Sequence, residues 1–241
     1  MRHNVLKWIG LLVLAAALLL PVGCVSYKTG PVRTEARSVQ LEGAESAEVD
    51  LLMGAGELTL TGGAEALMDA EFTYNVAAWQ PEVDYQITGD EGHLEVRQPE
   101  VDNIGALESY RYTWDVRLND QVPMDLHVAL GAGEGTLDVG GLALTRLDVD
   151  VGAGQGTIDL TGDRTSDLDV SVEAGVGDLT VRLPRDVGAR VEVEGGLGEV
   201  DAGELRVEDG AYVNDAYGES GVTITVDIAG GVGQVSLELA D

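Results

Sequence analysis

One short string returns along this chain at a constant interval. "GEGTLDV" begins at Gly133, "GQGTIDL" at Gly154, "GVGDLTV" at Gly175 and "GLGEVDA" at Gly196, each 21 residues after the one before. Two outlying copies, "GAGELTL" from Gly54 and "GVGQVSL" from Gly231, stand 79 and 35 residues from their neighbours. The glycine pairs are therefore Gly54 and Gly56, Gly133 and Gly135, Gly154 and Gly156, Gly175 and Gly177, Gly196 and Gly198, and Gly231 and Gly233.

On both sides of each pair the residues alternate. Before it run the columns Ala47, Leu126, Leu147, Leu168, Ala189, Ile224 and Val49, Val128, Val149, Val170, Val191, Val226. After it come Leu58, Leu137, Ile158, Leu179, Val200, Val235 and Leu60, Val139, Leu160, Val181, Ala202, Leu237, and none of these is polar. Alternation with a period of two marks a strand with one buried face, and its return at fixed spacing marks stacked units that cannot bury that face alone. The expected fold is all-β: a β-solenoid of 21-residue coils, each with a strand, a tight corner at Gly-x-Gly and a second strand. Glycine at the corner allows backbone angles closed to other residues and lets coils approach closely. Apolar side chains then stack inward about 4.8 Å apart. Only one Phe occurs and aromatics make up 5% of the chain, so the core is aliphatic.

The outward positions form columns as well. At constant 21-residue spacing, Thr136, Thr157, Asp178 and Glu199 align, as do Asp138, Asp159, Thr180 and Asp201. Neighbouring carboxylates about 5 Å apart cost under about 1 kcal/mol per pair in water, so such a ladder is tolerable and favoured by salt. A calcium-binding nonapeptide roll would need an aspartate two residues after its last glycine, where Leu137, Ile158, Leu179 and Val200 stand, so no metal is expected.

Two stretches depart from the repeat within the domain at 41–241. Residues 64–125 hold 7 of the 11 aromatics, and "TGDEGH" between two alternating runs signals a hairpin. We expect a sheet-like cap over one end of the stack, with Trp79, Tyr110, Tyr112 and Trp114 as a possible aromatic ligand platform. In the regular part, 126–241, an insert at 203–221 carries Tyr212 and Tyr217. Nothing follows Asp241 to cap the last copy, which makes that end suited to homotypic end-to-end stacking or to docking a partner.

The N-terminus reads as a targeting segment. Arg2 and Lys7 precede an apolar run from Trp8 to Leu20, too short to span a bilayer comfortably, and "PVGC" follows. This resembles a lipoprotein signal over residues 1–23, with Pro21 where leucine is preferred, and it implies lipid attachment at Cys24, the sole cysteine. Residues 24–40 form a tether whose Lys28, Arg33 and Arg37 can rest on anionic head groups. The expected location is the cell or outer membrane, facing away from the cytoplasm.

Residues 38–241 carry 9 basic and 42 acidic side chains, with no lysine after Lys28. Such a body is repelled by polyanions, so nucleic acid is not an expected partner. His93 and His127 are the only histidines outside the signal, and neither stands in a nucleophile or metal-ligand setting, so no cofactor and no catalytic residue is assigned.

The run from Asn119 to Leu160, "NDQVPMDLHVALGAGEGTLDVGGLALTRLDVDVGAGQGTIDL", with "WDVRLND" from Trp114, "GLGEV" and the later "YVNDAY", resembles the toast-rack domain family of bacterial cell-envelope proteins. It is also similar to the C-terminal domains of LiaF-like proteins that modulate responses to cell-wall-active antibiotics. The resemblance implies an envelope domain without catalytic residues. The expected role is a non-enzymatic lipoprotein that presents a rigid acidic solenoid to an envelope protein or polymer, in stress sensing or adhesion. The alternative is a glycan-cleaving enzyme using surface carboxylates.

Overall fold

The computed structural model describes residues 29–100 and 109–240, so Cys24, Lys28 and the signal lie outside the described residues. In chain order the elements are β1 (Arg33–Val39), β2 (Ser46–Thr61), β3 (Met68–Tyr74), a 3-10 turn (Ala77–Trp79), β4 (Glu82–Thr88), β5 (Glu91–Arg97), β6 (Tyr112–Leu118), β7 (Met124–Asp138), β8 (Leu144–Asp159), β9 (Leu168–Pro184), β10 (Gly188–Asp201), β11 (Arg206–Glu208), β12 (Ala211–Val213) and β13 (Thr223–Ala240). All 13 strands of the described residues join one mixed, open sheet.

The glycine pairs do not interrupt the strands. β7 continues through Gly133 and Gly135, and β8 through Gly154 and Gly156. Each long strand instead folds back on itself. A Cβ placed on Gly135 would lie 3.3 Å from Leu130 Cδ2, whereas five residues of straight strand span about 16 Å. The inward side chains of both halves thus meet in one core that includes Leu126, Val128, Leu137, Val149, Ile158, Val170 and Leu179. Each rung is one bent strand, where the sequence suggested two strands and a corner.

The stacking register departs from constant spacing at two steps. Gly133 lies beside Gly154, as expected, but Gly56 rather than Gly54 lies beside Gly133, and Gly177 rather than Gly175 lies beside Gly154. The reason lies in "GAGEG" and "GAGQG", which hold three glycines each, of which the structure stacks the first two. Gly54, Gly131, Gly152, Gly175 and Gly231 form one column; a Cβ on each of the last four would lie 1.8 to 2.5 Å from a carbonyl oxygen of the glycine before it. Gly56, Gly133, Gly154, Gly177 and Gly233 form the second, all with φ between 134° and 155°. At Gly133 and Gly154 both demands coincide: positive φ, and a neighbouring carbonyl oxygen 1.9 Å from where a Cβ would sit. Gly135 and Gly156 turn inward beside Leu58 and Leu179. Because each slip is of two residues, every apolar position stays on the buried face.

The slips also rewrite the outer columns. Thr59, Thr136, Thr157, Thr180 and Ser236 form a hydroxyl-bearing row, and Glu134, Gln155, Asp178, Gln234 and Glu199 alternate acid with amide. Arg182 lies between Asp159, at 3.6 Å, and Glu238, at 3.2 Å. Of the carboxylate neighbours expected from constant spacing, Asp138 and Asp159 remain in register, whereas Gln234 separates Asp178 from Glu199.

Strand order brings a further correction. From β2 the long strands run β7, β8, β9, β13, β10, so the last strand of the chain inserts between the fourth and fifth copies. β13 is parallel to both neighbours. The final copy is interior rather than bare, and the spatial end of the stack is β10. There the insert at 203–221 supplies β12 and β11, which cover part of β10.

At the opposite end residues 64–125 cover the outer edge of β2 by extending the sheet from it. β5 continues the first half of β2 and β6 the second half, both in parallel, with β4 and β3 antiparallel outside them. β1 comes from the stretch 24–40 expected as a tether: residues 33–39 pair antiparallel with β3 and are an edge strand of the sheet, not tether. The expected hairpin is the β4–β5 pair, which turns at Gly89 and Asp90. Gln98 completes the bend of β2: its Oε1 accepts from the Gly54 and Ala55 amides at 2.8 and 2.9 Å.

Candidate functional site

In β6 the residues Tyr112, Trp114, Val116 and Leu118 share the inward face and are buried. Phe72 meets Trp114 edge-on at 5.4 Å between ring centroids, and Trp79 meets Tyr112 at 5.5 Å. Of the four platform residues, Trp79, Tyr112 and Trp114 are core: alternation along β6 points Tyr112 and Trp114 inward with Val116, and Trp79 is buried at the end of the 3-10 turn. Burial pushes the Tyr112 hydroxyl far above its ordinary range. Only Tyr110 is exposed, and its ring packs edge-on against Trp79 at 5.4 Å.

Tyr110 borders an open groove that it shares with Arg111, Glu57, Glu134 and Gln155, with glycine backbone at Gly133 and Gly154 as its floor. Glu57 and Glu134 are directly paired neighbours on β2 and β7. A flat ring beside acceptors and one guanidinium suits a polar, ring-bearing polymer or a peptide chain.

His127 is outward-facing, as its column suggested, but it is not idle. Its Nδ1 lies 3.0 Å from Asp50 on β2 and its Nε2 3.1 Å from Asp150 on β8, so the ring bridges three strands. Partial burial opposes its charged form, yet the hydrogen bonds to Asp150 and Asp50 outweigh it and raise its pKa above the ordinary imidazole value. His93 pairs with Glu48 at 2.7 Å on the same outer side of β5 and β2. Among the described residues no group of three or more His, Cys, Asp or Glu is placed to hold a metal ion.

A family model for the N-terminal domain of toast_rack, DUF2154, matches residues 28–182. The chain belongs to the toast-rack family. A solved structure of a proposed cell adhesion protein from Clostridium sporogenes is 33% identical, with a TM-score of 0.84, over 87% of this chain and 100% of that one. A proposed adhesin from Bacteroides fragilis aligns at 9% identity and TM-score 0.27 over 88% of this chain and 99% of that one. A proposed lipid binding protein from Parabacteroides distasonis aligns at 9% and 0.32 over 90% and 100%. At those scores neither carries an argument. No curated protein matches the chain.

The toast-rack match runs through β9, and the similarity to the Clostridium structure spans most of the chain, which places the adhesion-named fold and this one together. Two residues of the family-like strings have roles that the sequence reading did not assign. Asn119, in "RLND", donates through Nδ2 to the Ala64, Glu65 and Ala66 carbonyls and accepts the Gln121 and Val122 amides. Asn214, in "YVND", donates to Pro184 and Val187 and accepts from Ala189. Both are buried, and each locks a loop that lacks strand partners. An Asn-Asp pair at the end of an alternating apolar run was the available signal. Gly54, Gly56, Gly133, Gly154, Gly175, Gly177, Gly231 and Gly233 stand in the two stacked glycine columns, whereas Gly135 and Gly156 lie two residues beyond them, beside Leu58 and Leu179.

Proposed function

We propose that this protein is a non-enzymatic, adhesin-like module of the bacterial envelope, held to the membrane by lipid on Cys24. It holds a rigid, solenoid-like acidic sheet away from the bilayer and presents it to a partner protein or envelope polymer. The observation that carries this reading is the 33% identity over 87% of the chain, at a TM-score of 0.84, with a protein named for cell adhesion. The architecture supports it: long parallel strands bonded on both sides make a stiff body, and polar side chains occupy its outer rows. The groove beside Tyr110 is open and has one exposed ring, which favours holding a polymer over cleaving it.

The test is surface display of the full-length protein in a non-adherent bacterium. Attachment to cells or envelope-coated surfaces should rise, and Cys24→Ser should release the protein and abolish the gain. A surface-exposed protein that confers no attachment would contradict the role, and Cys24→Ser protein that still partitions with membranes would contradict the anchor.

A further inference from the structure

The end of the sheet at β10 is sealed along one half only. β12 pairs with Arg190 and Val191, and Val191 is fully buried there. From Gly195 to Asp201 the side of β10 away from β13 has no strand partner among the described residues. An unpaired edge carries free amide and carbonyl groups that can template another strand. Beyond the cover, Val193 and Val200 are only half-buried, and between the two halves of the fold they border an apolar cleft with Leu179 and Val235. On the outward face of the same stretch Glu194, Glu199 and Asp201 form no ion pair among the described residues, while nearby Arg190 pairs with Glu192 and Arg206 with Glu208.

The other end has two edge strands, β1 and β4, and both are guarded. β4 carries Glu82 and Asp84 on the face opposite Val83 and Tyr85, so β4 of a second copy laid on β10 would set carboxylates against carboxylates. β1 places Arg33, Glu35 and Arg37 on the inward side, opposite Tyr74, Phe72 and Ala70 of β3. Inward charges discourage edge-to-edge pairing, and adding β1 of a second copy to β10 would set guanidinium groups against Val200. Two β10 edges meeting would bring their carboxylates together. The occupant that fits is extended, aliphatic on one side and cationic on the other.

We propose that β10 between Gly195 and Asp201 docks a strand from a partner protein, in which aliphatic side chains alternate with lysine or arginine. The backbone extends the sheet, an aliphatic side chain enters the cleft at Val193 and Val200, and the cationic side chains face Glu194, Glu199 and Asp201. This rests on the partner-binding reading above and names the surface and the chemistry of its partner.

The full-length protein in detergent micelles, titrated with the capped peptides GKVKVKVG and GEVEVEVG, tests it. The lysine peptide should bind about tenfold or more tightly than the glutamate peptide and protect residues 195–201 from amide exchange. Glu199→Gln with Asp201→Asn should weaken it about tenfold, and the charge-matched pair Glu71→Gln with Asp115→Asn, exposed neighbours on β3 and β6, should leave it unchanged. Equal weakening by both double variants, absence of protection at 195–201, or protection there that grows with protein concentration alone would overturn the proposal, the last in favour of a second copy. Attachment retained without peptide protection removes this docking edge only; peptide protection without attachment removes the adhesion role and leaves the edge.

Discussion

At the scale of single residues the fold depends most on glycines that no other residue can replace. Gly133 needs both a φ of 134° and an empty Cβ position, whereas Gly135, two residues on, meets only the flexible end of Leu130. Gly133→Ala should therefore cost more than about 3 kcal/mol, and Gly135→Ala should stay within about 1 kcal/mol of the parent in either direction. Urea midpoints of the two variants check this, and equal costs would restore the alignment of the last two glycines. Asn214→Ala strips partners from two carbonyls and the Ala189 amide and should cost about 2 to 4 kcal/mol by the same measurement. His127 adds a pH dependence. Its folded pKa is raised, so its contribution is complete below the unfolded value and fades as pH climbs through the folded one. The stability gap between the parent and His127→Gln should be larger at acid pH than at alkaline pH, and a pH-independent gap would show that the Asp50 and Asp150 contacts do not favour the imidazolium.

At the scale of elements, the alternation that assigned Val149, Ile158 and Val170 to one buried face was legible because it survives a two-residue slip. The choice among three glycines in "GAGEG" was not legible, since side-chain patterning says nothing of which backbone amide must bend. The aromatics are a different case. Tyr112 and Trp114 share parity with Val116 and Leu118, so the alternation already placed them inward, and enrichment in rings alone does not distinguish core from surface. Nor could sequence show that β13 inserts beside β9, because the same 14 additional residues fit an in-line loop as well as a return between two earlier strands. Gln98 capping the bend of β2 likewise depends on a contact 44 residues away.

At the scale of the whole molecule, a formal net charge of −29 makes self-repulsion a general load on the fold. With amides and Arg182 separating many of the local carboxylates, salt should act mainly through that global term. Raising sodium chloride from about 10 to about 300 mM should raise the thermal midpoint, and a flat response would show that the acid groups are neutralised locally. The arrangement itself rests on strand order, and paired cysteines in a Cys24→Ser background test it directly. Ser171 of β9 is in register with Asp227 of β13, and Asp227 in turn with Glu192 of β10. Adjacent parallel strands lie within disulfide reach, and strands two places apart do not. Ser171→Cys with Asp227→Cys should therefore oxidise to an intramolecular disulfide, and Ser171→Cys with Glu192→Cys should remain reduced. Ready oxidation of the second pair and none of the first would place the copies in simple sequence order and contradict the fold described.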